Sequence, residues 1–407
     1  SSSMLRSWVL CALVCTAAST TRVCPKSTRD RDSVLVVTRS MLEQAYLNGF
    51  VAWYTKLGVE CFLLFRDDPA TTALALPPLP GSVKVFQSKS KIGGNHLLKD
   101  FLEPVKRSEY TWALAVDTDE YLLLAPHFRS LAHYIADIGG THPMAIIDAF
   151  QFPWARVEML QPLCSQSRVC RALQEPNLVY HSNKHVKTLS RISQVVGFSN
   201  AHSPSVMVQK EACTSSHEQR PCARWQVKRS VYSAGMLLQT TPCSSCSNAS
   251  KRLWLSPFSP PDVAVGRKYA DSAMVHVQTR SLANMLTKAA ATRLENGKGE
   301  VVKGMANASA LARLAQQASQ YQERPALLAS FKEAVGVKAA LAFMVDLPLN
   351  LSHLIHAARP PDDDPAMCDA EREQSIFNDV FTAQGFAPRR LWKLLQDVSA
   401  ELLPLHQ

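Results

Sequence analysis

The chain has 407 residues, of which 46% are hydrophobic and 19% charged, enough apolar material for one large core or two smaller ones and too much for wholesale disorder. A net charge of +10 and a pI near 9.1 suit an anionic ligand. The basic residues are nevertheless scattered, without a long run or a zinc-finger spacing, so no nucleic-acid partner is expected.

Residues 1–20 read as an address: Arg6, then the short apolar run Trp8 to Cys15, then the small residues Thr16-Ala17-Ala18-Ser19-Thr20. The run is too short for a membrane span of about 20 residues. This pattern predicts a signal peptide or short anchor and a place in the secretory pathway, in the Golgi or ER lumen or outside the cell. Ser1-Ser2-Ser3 precede Met4. If further sequence precedes them, a signal anchor would associate the chain with a membrane through its N-terminus.

From Ser33 the order is strand, helix, strand. Val34 to Val37 is a short buried strand, Leu42 to Leu57 has apolar residues at helical spacing and ends at Gly58, and Val59 to Phe65 is a second strand stopped by Arg66-Asp67-Asp68-Pro69. After the loop at Pro77 to Gly81 come a strand at Val83 to Phe86, a helix at His96 to Val105, and a fourth strand at Trp112 to Val116. Such alternation predicts an α/β fold, with a mainly parallel sheet covered by helices on both faces. Further strands are expected at Ala145 to Ile147 and near Val195 to Gly197. Past the linker signal Asn296-Gly297-Lys298-Gly299, a C-terminal region at 300–407 reads as helical, with helices at Ala308 to Ala318, Ala326 to Phe343 and Arg389 to Leu402. No chemistry is legible in that last region.

Of 11 cysteines, six lie between positions 164 and 246: Cys164, Cys170, Cys213, Cys222, Cys243 and Cys246. Crowding in a loop-rich insertion at about 160–250 predicts disulfide staples among them. Zinc is the alternative, because Cys243-Ser-Ser-Cys246 has ligand spacing, but no second close pair accompanies it. Three Asn-x-Ser acceptors, Asn248, Asn307 and Asn350, agree with a luminal glycoprotein.

The fourth strand carries the densest signal. In Trp112-Ala-Leu-Ala-Val-Asp117-Thr-Asp119-Glu120-Tyr-Leu-Leu-Leu124 an apolar run breaks at three carboxylates and resumes. Ligands of open α/β sheets sit at the carboxyl ends of strands, and a tight turn there would bring Asp117 and Asp119 toward one hard cation such as Mn²⁺ or Mg²⁺. The competing reading is ordinary turn and cap chemistry.

Four blocks in order resemble the family 2-like and family 92-like glycosyltransferases of the GT-A (Rossmann-like) fold, over residues 33–290. The first runs from Glu43 through Tyr46-Leu47 and Val51-Ala52-Trp53-Tyr54 to Leu57-Gly58-Val59 and Asp67-Asp68. The second is Trp112 to Leu124, similar to Trp-x-hydrophobic-Asp-x-Asp-Glu-aromatic. The third, Lys187-Thr188-Leu189-Ser190-Arg191 with Val196-Gly197 and His202, is similar to Lys-Ser-Ile-Val-Arg and its downstream His. The fourth, His276-Val277-Gln278-Thr279-Arg280-Ser281, resembles His-Tyr-x-Thr-Lys-Ser.

The resemblance implies metal-dependent transfer of a hexose from a nucleotide-sugar donor to a glycan or protein-linked acceptor, by an inverting route. Asp117 and Asp119 would supply metal oxygens to Mn²⁺ or Mg²⁺, with His276 as third ligand and His202 as its competitor. Lys187, Arg191 and Arg280 would meet the diphosphate, where growing negative charge is stabilised in the transition state; otherwise they form a solvated basic face. Arg280 stands where the family has Lys, which keeps the charge and alters the geometry. Glu43, Asp67 and Asp68 would lie near the base and ribose, or else serve as helix-start and turn acids. The catalytic base is sought at Glu158, with Asp148 and Glu120 as alternatives. Val157-Glu158 departs from the family's aromatic-glycine pair after the tryptophan matched by Trp154.

Two other readings fit the Asp-x-Asp strand. A haloacid dehalogenase-type phosphatase would use Asp117 as nucleophile, but should carry the motif near its domain start and Thr or Val where Tyr121 stands. A non-catalytic glycan-binding protein on the same fold is the second.

Overall fold

A computed structural model describes residues 23–28, 32–68, 74–87, 100–140, 147–158, 163–164, 168–174, 178–198, 204–207, 210–213, 222–225, 229–232, 236–239, 252–254, 264–291 except 282, 285 and 289, 348–357, 366–383 and 388–402. The N-terminal address, the helices expected at 308–318 and 326–343, His202, Asn248, Asn307, Cys243 and Cys246 lie outside the described residues.

The fold is α/β with a mixed sheet. Strands β1 (Val34–Ser40), β2 (Cys61–Arg66), β3 (Val83–Gln87) and β4 (Trp112–Ala115) pair in parallel in the order β3-β2-β1-β4. Strands β1, β2 and β4 read as apolar runs because both of their faces are buried, whereas the edge strand β3 is partly exposed. Val34 and Val36 share one core with Phe50, Trp53 and Tyr54, whereas Leu35 and Val37 share another with Phe101 and Val105, the alternation a pleated strand imposes.

Helix α1 (Leu47–Lys56) starts five residues later than its apolar periodicity begins. Leu42 has φ 58° and its N–H is held by the Asp68 Oδ1 at 2.8 Å, so Leu42 to Tyr46 turn rather than coil. At the other end Gly58 adopts φ 83° and donates to Thr55 O at 2.9 Å, the left-handed close expected of a glycine cap.

Beyond β4 the chain leaves the parallel sheet. Residues Glu120–Leu124 form β5, α2 (Leu131–Gly140) follows, and two long strands, β6 (Ile147–Glu158) and β7 (Tyr180–Arg191), pair antiparallel. Strand β7 returns along β4, extending the sheet past it. Strands β8 to β14 are short pieces between Val195 and Trp254, and β15 (Ser272–Thr279) lies between β5 and β6, antiparallel to the first and parallel to the second. The sequence foresaw the parallel opening and not the antiparallel half.

The C-terminal segment packs on the site-bearing part of the molecule. Strand β16 (Pro348–Leu349) pairs with β7, and helices α3 (Ser352–Ala357), α4 (Ala370–Ala383) and α5 (Pro388–Leu402) follow. Gly49 of α1 lies so close to the chain at Ala366 and Met367 that a Cβ would stand 2.4 Å from the Ala366 carbonyl oxygen. Phe377 and Phe381 of α4 stack at 4.4 Å, and Trp392 of α5 meets Phe377 edge-on at 5.1 Å.

Two disulfides are present among the described residues, and neither is a staple within the cysteine cluster. Cys24 bonds Cys61, and Cys164 reaches out of the cluster to Cys368, 204 residues away. Cys213 and Cys222 are register partners on the antiparallel pair β10 (Lys210–Cys213) and β11 (Cys222–Trp225). No helix among the described residues is long and apolar enough to cross a membrane.

Candidate functional site

The carboxyl ends of β1, β2 and β4 converge, and between β1 and β4 the chain reverses its direction of sheet growth. Open α/β sheets form their ligand crevice at such a point. Arg39 at the end of β1, Asp67-Asp68 after β2 and Asp117 to Glu120 after β4 all arrive there.

Val116 N–H bonds the Val37 carbonyl at 3.0 Å and Glu120 N–H bonds the Asp117 carbonyl at 3.1 Å, so the acids sit on a tight turn directly after β4. The Glu120 Oε2 accepts from Asp117 N–H at 2.8 Å, which closes the turn from the inside. Beyond it, the Asp119 carbonyl accepts from Val277 N–H at 2.8 Å, and Tyr54 of α1 donates to the Glu120 carbonyl at 3.0 Å. Strand, turn and helix thus fix the acids independently of any ligand.

One side of the turn is buried and saturated. Lys187, 1% exposed, places its ammonium 2.7 Å from Glu120 Oε2 and 3.3 Å from Asp117 Oδ2, while Trp154 Nε1 donates to Glu120 Oε1 at 3.1 Å. Burial pushes the Glu120 carboxyl up to about 7, against the pull of Lys187. Burial would lower Lys187, but Glu120 and Asp117 more than offset it and hold its pKa above the usual lysine value. Glu120 is therefore the anchor of the turn, and as a catalytic base it is enclosed and already engaged.

A second buried group closes the other side. Glu43 takes hydrogen bonds from Arg280, Lys288 and the Thr118 hydroxyl, and Arg280 also donates to the Thr118 carbonyl at 3.1 Å. The Arg280 guanidinium lies over the Tyr46 ring at 3.9 Å. Behind Tyr46, Glu373 of α4 accepts from the Tyr46 and Ser281 hydroxyls and from Cys164 N–H at 2.7 Å.

The open side carries Arg39, Asp117, Asp119 and His276. Arg39 Nε donates to Asp117 Oδ1 at 3.1 Å. Burial alone would raise Asp117, yet Lys187 and Arg39 bring it down to about 2. His276 Nε2 lies 3.5 Å from Asp119 Oδ2 and the imidazole stacks on Trp154 at 4.6 Å. Burial acts to raise Asp119 and lower His276, but their mutual attraction wins at both, holding Asp119 far below the carboxylate range and His276 above the usual histidine value. Asp119 Oδ1 and His276 Nδ1 are buried without a hydrogen-bond partner.

The structure thus gathers Asp117, Asp119, His276, Lys187, Arg280 and Glu43, and it disperses others. Arg191 sits opposite Trp112 at the far end of β4, its guanidinium 4.6 Å over that ring. Asp148 precedes Ala149, which pairs with Ser190, so it too lies at the far end. Asp68 is consumed by Leu42 N–H, Gln44 and Arg66 and acts as a clamp on the loop after β1, and Asp67 is buried with its N–H on the Ser40 carbonyl at 2.9 Å. The backbone of Glu158 pairs with Thr279 beside Arg280, at the near end of β6.

Sequence reading missed Arg39 and Glu373. The first was visible as a charge at the end of an apolar strand. The second carried no local signal, because its partners are remote in sequence.

Among the described residues no three His, Cys, Asp or Glu side chains gather as a metal-holding group. Asp119 and His276 form a pair through Oδ2 and Nε2, while Asp119 Oδ1 and His276 Nδ1 are buried without a hydrogen-bond partner. No protein-family model matches this chain, and no curated protein matches it.

Proposed function

We propose that this chain is a metal-dependent glycosyltransferase of GT-A type, moving a hexose from a nucleotide sugar to a glycan or protein-linked acceptor by an inverting route in the secretory pathway. The observation that carries this reading is the pair Asp119 and His276, facing each other at 3.5 Å beside the acid turn at the switch point of the sheet. Those two residues would hold Mn²⁺ or Mg²⁺, which as a Lewis acid supplies charge neutralisation at a leaving diphosphate. Asp117 keeps Arg39 and Lys187 in place beside it, and the ring of Trp154 sets the plane of His276. Glu158, at the near end of β6, is the proposed acceptor base; Asp148 is remote from the acid turn and Glu120 is enclosed.

The phosphatase alternative requires attack by Asp117, whose two oxygens are engaged by Arg39 and Lys187. Screening UDP- and GDP-sugars for metal-dependent hydrolysis or transfer, with wild type and Asp119→Ala side by side, tests the proposal. Turnover is expected in wild type with Mn²⁺ and not in the variant, at similar melting temperatures. Full activity in Asp119→Ala, or activity that survives exhaustive chelation, would overturn it.

A further inference from the structure

The sequence nominates Lys187, Arg191 and Arg280 for the donor's diphosphate, and the geometry leaves none of them well placed. Lys187 and Arg280 have side chains 1% exposed and are committed to Glu120, Asp117, Glu43 and the Thr118 carbonyl. Arg191 is at the wrong end of β4. Lys288 is spent on Glu43.

Arg39 differs on each count. It lies one residue before the end of β1 at the switch point, its side chain is 37% exposed, and the Asp117 it touches is itself 28% exposed, so the pair is open to solvent. Asp117 takes its Nε, and the Arg39 side chain forms no other hydrogen bond or ion pair among the described residues. Both terminal nitrogens of the guanidinium are left, the planar fork that matches a phosphate in two parallel hydrogen bonds. The buried Lys187 behind Asp117 keeps that carboxylate neutralised, so an arriving anion meets the charge of Arg39 and not a bare aspartate.

We infer that Arg39 is the residue that binds the diphosphate of the nucleotide donor, with Asp117 as the group that aims it. The inference rests on the transferase reading above and names its anion-binding group. In this arrangement Lys187 and Arg280 act as supports of the acid turn.

Calorimetric titration with UDP and with inorganic pyrophosphate, each with and without Mn²⁺, tests it on wild type, Arg39→Gln, Arg39→Lys and Arg191→Gln, with melting temperatures as the check on folding. The expected result is binding of both probes by wild type and Arg191→Gln, with affinity about tenfold or more weaker in Arg39→Gln. Arg39→Lys should recover part of the loss, because charge returns without the fork; it also carries the test if Arg39→Gln fails to fold. Equal binding by wild type and the folded Arg39 variants overturns the inference and leaves the transferase reading standing. Binding of UDP by wild type without binding of pyrophosphate likewise overturns it, since the contact would not be to phosphate. If wild type binds neither probe under either condition, both the inference and the transferase reading fall.

Discussion

Glu120 and Glu43 flank the same Asp117-Thr118-Asp119 turn and are held by different parts of the molecule. The partners of Glu120 come from the sheet: the Asp117 amide after β4, Lys187 on β7 and Trp154 on β6. Those of Glu43 come from Thr118 and from Arg280 and Lys288, which follow β15, with Tyr46, Ser281 and Glu373 behind them. The first side is set by strand register, which ladder hydrogen bonds fix along the whole strand. The second depends on docking of the C-terminal helix, tied by Cys164–Cys368. One turn therefore answers to two cooperative units, and each can be perturbed alone.

Removing the cation on the sheet side should have the largest effect. Lys187→Met leaves the buried Glu120 facing the partly exposed Asp117 without a cation, and we expect a loss of about 3–5 kcal/mol in chemical denaturation. Adding Glu120→Gln should restore part of it. A loss below about 1 kcal/mol would mean that the pair is solvated and that the sheet does not anchor the turn through Lys187.

Next in size is the tether. Replacing Cys164 and Cys368 together by Ala should cost about 2–4 kcal/mol. Hydrogen exchange should rise in α4 and around Arg280 while β6 and β7 stay protected. Uniform loosening of both sides would show that the two units are one.

Gly49→Ala tests the docking without touching charge. A methyl aimed at the Ala366 carbonyl must push the C-terminal segment off α1, at about 1–3 kcal/mol. Unchanged stability would mean that the segment sits further from α1.

The smallest effect is a pH dependence at Glu373. Burial raises its pKa, so the native state retains the proton longer than the unfolded chain does. The stability this contributes is fully present below the ordinary glutamate range and lost as pH rises through the folded value. The difference between wild type and Glu373→Gln should therefore shift in favour of the variant as pH increases from acid to neutral. A difference independent of pH would place the carboxylate in solvent contact.

Much of the first side was legible in the sequence. The apolar runs at Val34, Cys61 and Trp112 mark buried parallel strands, Gly58 marks the end of α1, and the break at Asp117 marks the turn after β4, because burial on both faces and local turn chemistry leave their trace in consecutive residues. Leu42 to Tyr46 misled, since an apolar period there is broken by Asp68, which holds the loop from another strand.

What the sequence by itself determined is the α/β opening and the short roster of charged residues at strand ends, since local periodicity and composition are enough for both. Only the tertiary structure decided which cations are already spent on carboxylates, that Arg191 and Asp148 stand at the far end of the sheet while Arg39 stays partly exposed at the switch point, and that Glu373 backs the acid turn. Polar pairing and exposure depend on contacts between residues as far apart as Tyr46 and Glu373, 327 positions, and no window of local sequence contains both partners.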